Sequence, residues 1–247
     1  MRFTFDAYMS LLEDIRDRGY KYIFYDEIGT HDKEVLIRHD VDFSLEKALE
    51  MAKIESQLNV RSSYFVLITS PFYNIHEKKS RQIIKEILEL GHKIGLHFDY
   101  TIYNTVIISE IIDHAKKELE LLSVSIESNV NTISFHRPAK FILDSNVFFS
   151  KSIINTYSKE FFKDIKYISD SRMSWKANPF DILCEDNKKI QILVHPIWYN
   201  IEEKSITEIF KVFFNLKSRA LYNDMNSNFT DLHEYLKPFD VLREGKK

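Results

Sequence analysis

An α/β fold of parallel strands with outer helices is what this sequence predicts, on two observations. Apolar runs of strand length alternate with longer segments of helical period, as repeated βα units require. Polar, chemistry-bearing residues fall where those apolar runs stop, as they do along the C-terminal rim of a parallel sheet. The 247 residues, 44% of them hydrophobic, can bury one large core.

In chain order, "FDAYMSLLEDIRDRG" predicts a helix ahead of the main unit, within an N-terminal extension spanning 1–34. "EVLIRHD" is the first strand, and Ser44 caps the helix "SLEKALEMAKIESQL" that follows. "RSSYFVLI" is the next strand, and "EKKSRQIIKEILEL" is a helix ending at Gly91, a usual C-cap position. Then come the strand "HKIGLHF", the helix "SEIIDHAKKELELL" and the strands "NTISFHR", "IKYISDS" and "KIQILVH". A C-terminal helical segment, 201–247, carries "SITEIFKVFFNLKSR", whose Phe-rich centre reads as core packing of a last helix rather than as a membrane-binding face. No repeat or low-complexity linker interrupts 1–247, so a single domain is expected.

Charge narrows the function classes. The 34 basic and 37 acidic residues include no basic run, so nucleic acid is not an expected partner. Cys184 is the single cysteine and cannot form an internal disulfide. The first residues contain acids where a signal peptide needs an uninterrupted apolar run, and no window approaches the length of a membrane span. The expectation is a cytoplasmic protein whose membrane contacts, if any, are peripheral, with its oligomeric state open.

Five strand endings, "RHDVD", "GLHFDY", "SFHRP", "SDSRMSW" and "LVHPIW", can converge on one site. Asp40 and Asp42, two apart on extended chain, place both carboxylates on one side. One can hold a cation while the other stays ionised as a base; the bland alternative is a helix cap beside a loop acid. Asp42 and His97 offer the carboxylate and imidazole of a zinc-type centre, and an open catalytic site needs about three such ligands. His136 is the third candidate, or else a histidine that orients Asp40 or His97. Trp175, Trp198, Tyr199 and Tyr100 follow strand ends, where flat rings suit sugar faces or simply pack.

The ordered set "RHDVD", "GHKIGLH", "SFHRP", "DSRMSW" and "LVHPIW" resembles the motifs of the polysaccharide deacetylase superfamily, the carbohydrate esterases built on the NodB homology domain. The resemblance spans roughly residues 35–200. It implies an irregular (β/α) barrel and metal-dependent removal of an N- or O-acyl group, with a divalent ion, zinc first, as cofactor. It further implies Asp40 as catalytic base, Asp42 and His97 as metal ligands, and His195 as general acid. Either His136 or Arg137 would brace the base, Asp170 and Trp175 look like the fourth motif, and Arg172, Trp198 and Tyr100 join Trp175 as substrate contacts. The chain departs from the pattern at Thr101, where the family has its second histidine, so either His136 or else Asp99 completes the ligand set, or the metal is weak or absent. The substrate class that follows is a small or carrier-linked amino sugar, a nucleotide- or lipid-linked precursor of a surface polysaccharide, most simply N-acetylated. Hydrolysis of another C–N bond, as by a deformylase or cyclic amidase, and a catalytically silent carbohydrate-binding protein are the alternatives.

Overall fold

A computed structural model describes residues 1–185 and 187–238. The chain divides into two compact units, Met1–Ile201 and Glu202–Lys247. Among the described residues of the first, eight strands form one parallel sheet: β1 (Lys21–Tyr22), β2 (Glu34–Val41), β3 (Ser63–Val66), β4 (Lys93–Phe98), β5 (Thr132–Phe135), β6 (Ile154–Asn155), β7 (Lys166–Ser169) and β8 (Lys189–Val194). The order is β6-β5-β4-β3-β2-β8-β7. β1 pairs with Glu34 and Val35 at the start of β2, ahead of the stretch from Arg38 that pairs with β3. The N-terminal region therefore adds a strand as well as its helix. Both two-residue strands, β1 and β6, are too short to leave a period in the sequence.

The helices are α1 (Phe5–Asp17), α2 (Leu45–Gln57), α3 (Lys78–Glu89), α4 (Ile108–Ser125) and the short α5 (Lys140–Ser145), α6 (Lys159–Phe162) and α7 (Pro179–Cys184). Ser44 Oγ accepts from Lys47 N to cap α2, and Gly91 follows α3 at φ +91°, a conformation glycine adopts without steric cost.

The sheet curls into the expected irregular barrel, and one side chain measures the curvature. In a flat sheet β2 and β6 would lie four strand spacings, about 19 Å, apart. Yet Arg38 on β2 donates to Thr156 Oγ1 (3.2 Å) and Tyr157 Oη (3.1 Å), which immediately follow β6. Side chains bridge the gap between the end strands, with the Phe162 ring 5.0 Å from that of Tyr167 on β7. Tyr25, Leu36, Phe65 and Phe161 plug the interior. Gly95 makes room for this packing, since a Cβ there would lie 2.3 Å from the Phe65 ring.

The second unit comprises α8 (Ile206–Asn228) and α9 (Leu232–Tyr235). Ser205 and Glu208 form a reciprocal capping box at the start of α8. The helix runs on to Asn228 through the polar stretch "NDMNSN", which has no apolar period to announce it. Ile209 and Phe213 are buried, whereas Phe214 and Leu216 are exposed, so core packing accounts for only part of the Phe-rich segment.

Candidate metal centre and catalytic site

Cross-strand register decides which side chains meet inside the barrel. Arg38 and Asp40 on β2 share a face with Ser63 and Phe65 on β3, with Gly95 and His97 on β4, and with Ser134 on β5. Continuing each strand by one step on that face brings in Asp42, His136 and His195. Six site residues named from the sequence thus face one another: Asp40, Asp42, His97, His136, His195 and Asp170.

Three of them form a triangle of donor atoms. His97 Nε2 and His136 Nδ1 lie 3.1 and 3.3 Å from Asp42 Oδ1 and 3.1 Å from each other. A tetrahedral ion with bonds of about 2.0–2.1 Å requires ligand atoms about 3.3–3.4 Å apart, so these residues fit zinc. Asp42 Oδ1 is buried and accepts no hydrogen bond, a costly state that a cation would relieve. His97 Nδ1 is 3.2 Å from both the Ser134 carbonyl and Ser134 Oγ, and donation there leaves Nε2 as the free acceptor. Burial would raise the Asp42 carboxyl, but His136 and His97 outweigh it and hold it well below the ordinary carboxylate range. Asp99, the alternative third ligand, instead accepts from Thr101 N and Thr101 Oγ1 at the start of a short 3-10 turn. Thr101 serves that turn and stays outside the triangle.

Asp40, 3% exposed, is held side-on by a guanidinium, and that guanidinium belongs to Arg38. Arg38 Nε and Nη2 donate to Asp40 Oδ1 and Oδ2 at 2.8 and 2.7 Å. Nη2 also donates to Ser134 Oγ, and the guanidinium lies 4.5 Å from the Tyr157 ring centre. Burial pushes the Asp40 carboxyl up, but Arg38 and then His97 draw it below its ordinary value, so it is ionised at neutral pH. Arg137, expected along with His136 as the brace, does not do this. Its backbone turns through φ +47° just before Pro138, its side chain is 76% exposed, and its nearest acid is Asp99 at 3.6 Å. His136 faces Asp42 instead.

Across β2 from the triangle, His195 Nδ1 lies 2.6 Å from Asp170 Oδ1, and the backbone N–H of His195 donates to the same carboxylate at 3.0 Å. This fixes the ring with Nε2 toward Asp42 Oδ2, 4.0 Å away. Burial pushes the imidazole down, but Asp170, then Asp42 and Asp40, outweigh it and hold it at about 9. His195 therefore carries a proton at neutral pH. Asp170 is fully buried, with the His195 backbone N–H and ring Nδ1 as its partners.

The aromatic expectations divide. Trp198 is buried beside Phe43, with ring centres 6.4 Å apart, and Trp175 is half-buried with its indole N–H unpaired. Tyr100 is buried, edge-on to Phe135 and Phe141. Arg172 is exposed on a left-handed turn (φ +58°) after β7. Arg38 and Ser134 were missed from the sequence. Arg38 was nonetheless visible two residues before Asp40, on the same face of an extended strand.

No protein-family model matches the sequence, and no curated protein matches it. Among solved structures, the chain is similar to a Streptococcus pyogenes deacetylase, PplD, in complex with acetate: 12% identity, 72% of this chain and 85% of that one, TM-score 0.47. It is similar to the peptidoglycan deacetylase PdaC from Bacillus subtilis at 9% identity, over 80% of this chain and 99% of that one, TM-score 0.47. It is also similar to a CE4 family pseudoenzyme from Bacillus anthracis at 15% identity, over 77% of this chain and 62% of that one, TM-score 0.40. At these identities and scores the likenesses add nothing to the chemistry, which rests on the residues themselves.

Proposed function

We propose that this protein is a metal-dependent hydrolase that removes an N-acyl group from an amino sugar, on a nucleotide- or lipid-linked precursor of a surface polysaccharide. The observation that carries the reading is the Asp42, His97 and His136 donor triangle, with an ionised carboxylate on one side and a protonated imidazole on the other. Asp42, His97 and His136 would hold the cation, which when bound lowers the pKa of water and polarises an acyl carbonyl. Asp40, fixed by Arg38, takes the proton from the attacking water. His195 gives a proton from Nε2 to the departing nitrogen, and Asp170 stabilises the imidazolium and keeps its ring aimed. Two neighbouring carboxylates thus divide the labour: Asp42 faces two imidazoles and Asp40 faces a guanidinium.

The test is acyl release from nucleotide-activated N-acyl amino sugars by zinc-replete protein, followed in wild type and Asp40→Asn. The variant is expected to keep its metal while turnover drops by about 10²–10⁴-fold, the usual worth of a general base. Metal loss in Asp40→Asn as complete as in Asp42→Asn would remove the distinction between base and ligand. A replete wild type that releases acid from none of the substrates would leave a binding protein.

A further inference from the structure

We infer that the cleft on the far side of Asp42 from His195 is an acyl-chain subsite, and that the protein cleaves amides whose acyl group is apolar and longer than acetyl. This rests on the hydrolase reading above and specifies its substrate. The cleft measures about 520 Å³, has Asp42 and His136 in its floor, and is walled by Phe43, Leu67, Pro71, Phe72 and Ile102. Phe72 and Ile102 are 36% and 47% exposed, so apolar surface in the wall stays in contact with water until something apolar covers it. The Arg137 and Asp99 pair lies at the same cleft.

Topology fixes which part of a substrate can enter. His195 follows β8, which flanks β2 on one side. The cleft is built from the segments after β3, β4 and β5, on the other side of β2. In the hydrolysis, the water oxygen bonds to the acyl carbon as its proton passes to Asp40. The C–N bond breaks, and the nitrogen leaves with a proton from His195 Nε2. The nitrogen and its sugar must therefore lie toward β8. The remaining carbon substituent, the acyl chain, diverges from the nitrogen, and the cleft beside Asp42 offers it a space much larger than a methyl group fills.

The experiment compares nucleotide-linked N-acetyl-, N-butanoyl- and N-hexanoylglucosamine as substrates of the zinc-replete protein, and measures acetate and hexanoate binding to metal-free protein by calorimetry. Each buried methylene is worth about fourfold, so kcat/KM is expected to rise by about 10²-fold from acetyl to hexanoyl, with hexanoate binding at least about tenfold more tightly than acetate. Ile102→Asp should cut both preferences by about tenfold or more; Thr69→Trp, which fills the cleft from an exposed position, should do the same. Acetyl hydrolysed fastest, with hexanoate no tighter than acetate, would overturn the subsite and leave the hydrolase standing. Hexanoate binding that depends on Ile102, without hydrolysis of any amide, would sink the hydrolase reading and keep the apolar subsite. Neither hydrolysis nor binding would overturn both.

Discussion

At the scale of single residues, the pairing of Arg38 with Asp40 sets the chemistry. Both are buried, so each is tolerable only because the other is present. Arg38→Met should leave an unpaired buried carboxylate and cost about 3–5 kcal/mol in chemical denaturation, whereas the double variant Arg38→Met/Asp40→Asn should recover a large part of that loss. Equal stability of the single and double variants would mean that Arg38 acts through Thr156 and Tyr157 rather than through Asp40. The sign of the pH effect follows from Asp40 being depressed: the pair stabilises the fold above the unfolded value of 3.8, and that stability is lost as pH falls through the lower folded value. The sequence motifs named Asp40, Asp42, Asp170, His97, His136 and His195, the six side chains that the fold brings together. They left the brace open between His136 and Arg137, because order along the chain says nothing about where a side chain turns at a left-handed residue. The period of two along β2 carried the better information.

Among the elements, β2 is buried along its whole length, and its two faces carry different polar systems. Arg38 and Asp40 face the site, whereas His39 points outward to Glu55 on α2, its Nε2 2.6 Å from Oε1. Glu55 is fully buried and also accepts from Ser62, Tyr64 and Tyr8. This cluster was not legible, because Glu55 reads as an ordinary polar position on an amphipathic helix until α1, β3 and β4 close over it. The six long strands and the main helices were legible because their periods are local. Glu118 on α4 is another buried acid, with one oxygen accepting from Tyr103 Oη at 2.6 Å and the other unpaired. Burial raises it to about 7, with Asp99 adding to the shift and Tyr103 opposing it. Its folded value exceeds its unfolded one, so it costs the fold nothing below about pH 4.5, and the penalty grows as pH rises to about 7. Glu118→Gln should therefore melt several degrees higher than wild type at pH 8, an effect on the order of 2 kcal/mol, and together with it at pH 4.5. A constant difference across that range would assign the change to packing.

For the whole molecule, curvature turns a row of strand ends into a site. The three donor atoms come from the ends of β2, β4 and β5, which a flat sheet would spread over about 14 Å. Curling brings them to within 3.3 Å of one another, with Arg38 tying β2 to the segment after β6. The sequence motifs indicated which strand ends would meet; the closure by Arg38, Tyr157 and Phe162 depends on long-range contacts that no local pattern records. The central claim is that His136 completes the donor set with Asp42 and His97. Zinc content by elemental analysis, with the thermal shift on zinc addition, tests it in wild type, Asp42→Ala, His136→Ala and Asp99→Ala. One ion per chain is expected in wild type and Asp99→Ala, with melting temperature raised by zinc as binding to the native state alone requires. Asp42→Ala and His136→Ala should lose both the ion and the shift. Full stoichiometry and an unchanged shift in His136→Ala would contradict the account.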